Sequence, residues 1–340
     1  MDQRSALGSI DGYEEAARAA LDEDVFDYFA TGANDERTLV ENIRAFDRWV
    51  LRPRVMRRSS SPDLSIELFG EGVRFPVLVA PVAYQDMADP EGEIATATGA
   101  GAVGTITVVP GTAHHELEAI AAAGDGAKWW QLYLFNDRSM SEEIVRRASA
   151  AGYRAICLTA DAPTRSRRGL PVRGGSRRRE DDAPAYEADV SWDDIGWLKG
   201  IAPDLPLLVK GVLTPDDAEL AVRAGADGIV VSNQGGRQLD GCAGTLDVLP
   251  EVAGAVGDDV PVLMDGGVRR GTDVLKALAL GATATLVGRP AMWGLAVGGA
   301  QGVADALSIL RDEFEDALAM SGCPTPEDIS RELVAPAPWA

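Results

Sequence analysis

The feature that most constrains this chain is a unit repeated eight times between residues 76 and 290. Each copy is a short apolar, β-rich run, a turn containing Gly, Pro, Asp or Ser, and a helix-period stretch. The runs are FPVLVAP at 75, AVGTITVV at 102, KWWQLYLF at 128, AICLTAD at 155, LPLLVKG at 205, GIVVSN at 228, VPVLMDGG at 260 and ATATLVGR at 282. They lack polar alternation, which is the pattern of parallel strands covered on both faces. The stretches between them, such as SEEIVRRASAAG, TPDDAELAVRAGA and RRGTDVLKALALGA, open on acidic or hydroxyl residues and close near a glycine, as helix caps require.

Eight βα units in this order predict an α/β fold of the TIM (β/α)8 barrel type. An open Rossmann sheet would normally show GxGxxG after its first strand, and nothing of the kind follows FPVLVAP. The 340 residues then make a single domain: 1–75 an N-terminal helical extension packed onto the barrel, 76–290 the barrel strands, and 290–333 the last helices. The stretch 165–190 is Gly- and Arg-rich and turns abruptly acidic; a loop this long without periodicity reads as a lid or as a solvated charge run.

A net charge of −21 repels phosphate backbones and anionic lipid surfaces, so neither nucleic-acid nor membrane partners are expected. Cys157, Cys242 and Cys323 are far apart and lack CxxC spacing, which argues against a disulfide framework and against a zinc or other metal site. A reducing cytoplasm fits them. The N-terminus lacks the apolar core of a signal peptide, and no apolar run approaches membrane-spanning length.

The active site of a TIM barrel lies at the C-terminal ends of its strands. The residues there are Tyr133, Thr159, Asp161, Lys210, Ser232, Asn233, Gln234, Arg237, Asp265, Gly267, Gly288 and Arg289, a far more polar set than the runs they follow. The last two runs end in DGGVRRG and VGRP, where barrels commonly bind phosphate through backbone N–H groups and a helix N-terminus. Glycines at 266, 267 and 288 permit close approach there, and Arg269 and Arg289 can neutralise the charge. Lys210 ends an apolar strand, so its ammonium is expected to face something anionic. Arg168 and Arg237 in neighbouring loops suggest a substrate carboxylate.

These residues carry a resemblance. FDYFATGANDERTLVENIRAFDRWVLRPRVM, APVAYQDMADPEGE, QLYLFNDR, LTADAP, LPLLVKGV, VSNQGGRQLDG, DGGVRRGTDVLKALALGA and VGRP, in that order, resemble the FMN-dependent 2-hydroxy-acid oxidases and dehydrogenases nearly end to end. The resemblance implies an FMN across the barrel mouth, its phosphate at Gly267, Arg269, Gly288 and Arg289. Lys210 would lie by the flavin N1 and O2 edge, Gln131, Thr159 and Ser232 would bond the ring or ribityl chain, and Ala83 and Asp265 would complete the cofactor site. Tyr28, Tyr133, Arg168 and Arg237 match substrate-binding positions, the arginines clamping a carboxylate. Tyr84, where glycolate oxidases tend to have methionine, goes with larger or aromatic substrates. A homo-oligomer, tetrameric or larger, is also implied.

The family motif reads SNHGxRQLD, and its histidine takes the substrate's hydroxyl proton as hydride passes to flavin N5. Here that position is Gln234, which can orient a substrate and cannot carry a proton at neutral pH. General-base catalysis is worth roughly 10²- to 10⁴-fold, so ordinary hydroxy-acid oxidation is expected to be slowed or rerouted. Asp161, which orients the family histidine, is retained and is expected either to bond the Gln234 amide or to act as a carboxylate base. The only histidines, His114 and His115, stand at the apparent start of a helix near the barrel mouth and are the other candidate bases. Pro110 and Thr112 replace a serine and an aromatic residue common in the family. Three activities are compatible with these residues: hydride transfer from a 2-hydroxy acid; a changed reaction such as amine oxidation or a specialised biosynthetic step; and flavin binding without catalysis.

Overall fold

The structure is a computed structural model and describes residues 7–163 and 189–339. Eight parallel strands close a barrel: β1 (Val77–Val79), β2 (Thr107–Val109), β3 (Lys128–Leu132), β4 (Ile156–Thr159), β5 (Leu207–Val212), β6 (Gly228–Val231), β7 (Val262–Asp265) and β8 (Ala284–Val287). Each strand pairs with the next and β8 returns to β1, so chain order and spatial order coincide. All eight expected runs are strands, and the expected TIM barrel is the fold observed.

Eleven α-helices are described. Three precede the barrel: α1 (Ile10–Ala20), α2 (Glu23–Ala30) and α3 (Arg37–Asp47). Eight follow the strands in turn: α4 (Gly92–Val103), α5 (Leu117–Ala121), α6 (Arg138–Ala150), α7 (Asp193–Ile201), α8 (Pro215–Ala224), α9 (Thr245–Val256), α10 (Gly271–Ala279) and α11 (Arg289–Ser321). Their caps explain their limits. Thr214 accepts the Asp217 N–H ahead of Pro215, and Gly225 in the left-handed region ends α8. The last segment is a single run to Ser321 broken at Gly298 and Gly299, after which short turns lead to a strand at Val334–Pro336.

The extension is less helical than expected. After α3, Trp49–Leu51 pairs antiparallel with Val334–Pro336, tying the two ends of the chain together. A hairpin, Ile66–Leu68 with Glu71–Val73, then closes the floor of the barrel. Its Leu68 and Val73 pack in the same cluster as Leu78, Val108, Trp129, Cys157, Leu208, Val230, Leu263 and Leu286, and Phe69 lies 5.7 Å from the Trp129 ring. The barrel interior is therefore packed at its lower end and presents its chemistry only at the upper one.

Strand periodicity decides what faces that upper end. Side chains two residues apart point to the same face. Two residues beyond Trp129, Cys157, Leu208, Val230, Leu263 and Leu286 stand Gln131, Thr159, Lys210, Ser232, Asp265 and Gly288. A polar ring thus caps an apolar interior. The proposed lid, 165–190, falls almost wholly outside the described residues, as does Arg168.

Candidate active site

Lys210 is the centre of the polar ring. Its Nζ is 3.1 Å from Asp265 Oδ2, and it donates to Ser232 Oγ at 2.8 Å and to Gln234 Oε1 at 2.9 Å, while Ser232 Oγ donates to Asp265 Oδ1 at 2.7 Å. The lysine is 1% exposed, yet its pKa is raised, because the carboxylates of Asp265 and Asp161 outweigh the desolvation that would lower it. It is a fixed cation. The expected anion is Asp265 in the first instance.

Beside it, Gln131 Nε2 donates to Thr159 Oγ1 at 3.1 Å, and Gln131 Oε1 accepts the Gly111 N–H at 2.8 Å. That second bond hangs the Pro110–Ala113 turn on the polar ring. Ala83 lies just past β1, between Val82 and Tyr84, and the Tyr84 ring meets Tyr28 edge-on at 5.8 Å.

Gln234 sits in a turn of three successive left-handed residues, with φ of 56° at Gln234, 60° at Gly235 and 76° at Gly236. A non-glycine residue in this region is strained, and here the surroundings hold it. Asn233 and Asn42 exchange amide bonds at 2.8 Å, and Asn233 Oδ1 also accepts the Gly236 N–H. The Gly236 carbonyl accepts the Ala33 N–H at 2.9 Å, and a Cβ on Gly236 would lie 2.5 Å from Leu39 N. Asp240 accepts the Thr38 and Asp35 N–H groups and so caps α3 from the far side of the chain. The N-terminal extension is what fixes this turn.

So placed, the Gln234 amide bridges two site residues: Oε1 accepts from Lys210, and Nε2 donates to the Tyr133 hydroxyl at 3.3 Å. Burial raises the Tyr133 pKa, and Lys210 only partly opposes it, so the phenol stays protonated. The expected bond from Gln234 to Asp161 is not made. Lys210 and Tyr133 take both ends of the amide, and neither Asp161 oxygen has a hydrogen-bond partner among the described residues although both are buried. Asp161 packs against Gly211, whose φ is +111° at a break in the β5–β6 register; a Cβ there would lie 2.6 Å from Asp161 Cγ. Desolvation pushes the Asp161 pKa up to about 6, against the opposing pull of Lys210.

The arginines divide. Arg237 Nη1 donates to the carbonyls of Tyr28 at 2.7 Å and Thr31 at 3.1 Å, with its guanidinium 5.0 Å from the Tyr28 ring centre. Arg289 donates to carbonyls with all three nitrogens: Nε to Phe29, Nη1 to Gly235 and Nη2 to Thr31. Both thereby satisfy acceptors at the C-terminus of α2, the negative end of its dipole. In this structure Arg289 therefore ties α2 to the Gln234 turn, a role it has beside the phosphate contact expected of it.

The phosphate expectation also changes at α10. The Arg269 and Arg270 N–H groups donate to Asp273 Oδ2 at 2.9 Å, and the Gly271 N–H donates to Glu313, so the N-terminus of α10 is already capped by carboxylates. Gly267 is glycine for packing, since a Cβ would stand 2.0 Å from the Asn42 carbonyl oxygen. Two features still fit an anion. The Arg269 guanidinium, its pKa lowered by burial, has no carboxylate within salt-bridge distance among the described residues. The N-terminus of α11 has no side-chain cap, and Gly288 leaves the space above β8 without a side chain. Together with the polar ring, these residues suit a flat polar ring system carrying a phosphate.

The histidines do not join the site. They precede α5, whose N-cap is Glu116, and the His114 ring is half exposed, 3.9 Å from Asp86 and edge-on to His115. The His114 N–H donates to the buried Glu93 carboxylate. Sequence reasoning missed Asn42, Asp240 and Gly211; only the Asp in RQLDG carried a local signal, as a capping residue type, because the other two act through contacts distant in sequence.

Comparison with known proteins agrees with this geometry. The family model described as FMN-dependent dehydrogenase matches residues 17–181 and 173–336. The chain is 44% identical to the 2-hydroxyacid oxidase 1 of Mus musculus, over 98% of each chain, and 43% identical to an L-lactate oxidase of Nostoc sp., over 95% of this chain and 96% of that one. A crystal structure of mandelate oxidase superposes with a TM-score of 0.90 at 40% identity, covering 97% of this chain and 98% of that one. The chain belongs to the FMN-dependent dehydrogenase family and is an FMN-dependent oxidoreductase of 2-hydroxy-acid oxidase type.

Proposed function

We propose that this enzyme oxidises a 2-hydroxy acid at its C2 carbon, with Gln234 orienting the substrate in place of a protonatable base. The observation that carries the reading is the bridge from Lys210 through Gln234 to Tyr133, which keeps the polar ring intact around the substituted position. Bound FMN supplies the oxidant that accepts a hydride. Lys210, held cationic by Asp265, provides positive charge where the reduced cofactor is negative. Gln131, Thr159, Ser232, Asp265 and Ala83 line its seat, and Arg269, Gly267 and Gly288 receive the phosphate, with Arg289 supporting the turn beside them.

Tyr133 donates a hydrogen bond to the substrate, and Arg237, with Arg168, receives its carboxylate. Tyr28 and Tyr84, in edge contact, form an aromatic wall suited to an aryl side chain such as that of mandelate. A changed reaction on a 2-amino acid is the second reading, favoured by one fact: a neutral amine needs no strong base to lose hydride, and Gln234 offers none. A non-catalytic role fits less well with a lysine, tyrosine and arginine set retained in working contact. A homo-oligomer is also proposed, supported by exposed apolar Val55, Met56 and Met320 on adjoining segments joined by the Arg54 N–H to Ser321 carbonyl bond.

The test is anaerobic mixing of the FMN-loaded protein with matched pairs of 2-hydroxy and 2-amino acids, from glycolate to mandelate, while flavin absorbance is followed. Bleaching by the hydroxy acids supports the reading; bleaching only by the amino acids replaces it with the second.

A further inference from the structure

We propose that Asp161 is the group that takes the substrate's hydroxyl proton in this enzyme. The inference rests on the function proposed above and deepens it by naming the base that Gln234 cannot be.

Elimination at the barrel mouth leads there. Lys210 is cationic and already donates to two acceptors beside its ion pair. Asp265 holds Lys210 and accepts from Ser232, so both its oxygens are engaged. Tyr133 remains a phenol, and Gln234 has no proton to exchange. His114 lies against Asp86 and Glu93 with His115 edge-on to it, and no hydrogen bond joins either histidine to the polar ring among the described residues. Asp161 is the carboxylate at the polar ring with both oxygens unpartnered; His115 Nε2 and Glu93 Oε1 are likewise buried without partners among the described residues, but belong to the cluster around His114. Both its oxygens are buried and unpartnered among the described residues, a costly state unless a ligand completes it.

Its place is also fixed. Two residues past Thr159, it is pressed against Gly211, which only a glycine fits, between Lys210 and Val212. The charged and titratable groups acting on it are Lys210 on β5, which lowers its pKa, and Asp265 on β7, which raises it; Asp161 in turn acts on Tyr133, Cys157 and Cys242. Burial leaves its carboxyl titrating near 6, so at neutral pH it is ionised and basic enough to be useful.

In the step, the substrate O–H bond breaks and its proton goes to an Asp161 oxygen. The C2–H bond breaks with both electrons, as hydride to the oxidised flavin, and C2–O becomes a carbonyl. The 2-hydroxy acid is oxidised to a 2-oxo acid and the flavin is reduced by two electrons.

The experiment uses the FMN-loaded full chain, native and as Asp161→Asn and Asp161→Glu. First, infrared difference spectra of the resting enzyme follow the carboxyl band with pH; a band appearing as pH falls through about 6, missing in Asp161→Asn, is expected. Second, anaerobic flavin bleaching by 2-hydroxy acids is measured against pH. The native rate should rise with pH through the same value. Asp161→Asn should be slower by on the order of 10²- to 10⁴-fold and lose that limb, and Asp161→Glu should keep it. If Asp161→Asn bleaches at the native rate with the limb intact, Asp161 is not the base while the oxidase reading stands. If the native protein is bleached by no 2-hydroxy acid, both fall.

Discussion

Replacing Asp161 with Asn should stabilise the protein above neutral pH, against the usual effect of altering an active-site residue. The carboxyl rises from an ordinary value of 3.8 to about 6 on folding, because its oxygens lose water and neither Lys210 nor its own backbone N–H makes up the loss. At roughly 1.4 kcal/mol per unit, that is a folding cost of about 3 kcal/mol when the group is ionised. The sign follows from proton binding. Between pH 3.8 and 6 the folded state holds the proton more tightly than the unfolded chain, so stability falls as pH rises across that window and the whole cost is present above it. Asn never ionises. Its own cost as a buried amide does not vary with pH, and neither does Lys210, charged throughout. The stability difference between Asp161→Asn and the native enzyme should therefore grow by about 2.4 kcal/mol from pH 4 to pH 8, the rest of the cost being present already at pH 4. Urea unfolding of both proteins at saturating FMN measures it, since cofactor linkage cancels in the difference. A difference that stays constant across that range would refute the claim that the carboxylate is desolvated and unpartnered.

Other perturbations test the rest of the frame. Lys210→Met should destabilise by about 3–5 kcal/mol in urea unfolding, because it leaves Asp265 buried with Ser232 as its donor and no cation. Gly267→Ala should cost at least as much and loosen the N-terminal extension, visible as faster proteolysis there, since its Cβ would strike the Asn42 carbonyl at a φ of +88°. Arg269→Ala should weaken FMN binding more than Arg289→Ala in equilibrium dialysis, whereas Arg289→Ala should cost more stability, because its guanidinium holds three backbone carbonyls.

The barrel was legible because its strands are short apolar runs at regular intervals, and strand periodicity alone carries Gln131, Thr159, Lys210, Ser232 and Asp265 to one rim. What sequence could not show is which partner each polar group takes. Lys210 is expected to meet an anion, and Asp265 lies two strands away; Asp161 is expected to meet Gln234 or to act as a base, and Lys210 and Tyr133 take that amide. Arg289 and Gly267 carry motif positions associated with phosphate, and in this fold they have a second role: Arg289 ties α2 to the turn at 234–236, and Gly267 lets α3 approach closely. Those roles depend on where the extension docks, and no local pattern encodes that.

The most direct test of the account is the anaerobic rate of flavin bleaching by a 2-hydroxy acid, measured for the native protein and Gln234→His side by side, with substrate carrying hydrogen or deuterium at C2. The native protein should bleach and deuterium should slow it, since the C2–H bond breaks without a histidine at position 234. Bleaching by the histidine variant alone would contradict it, and would mean that Gln234 blocks this reaction in a pocket that still admits the substrate.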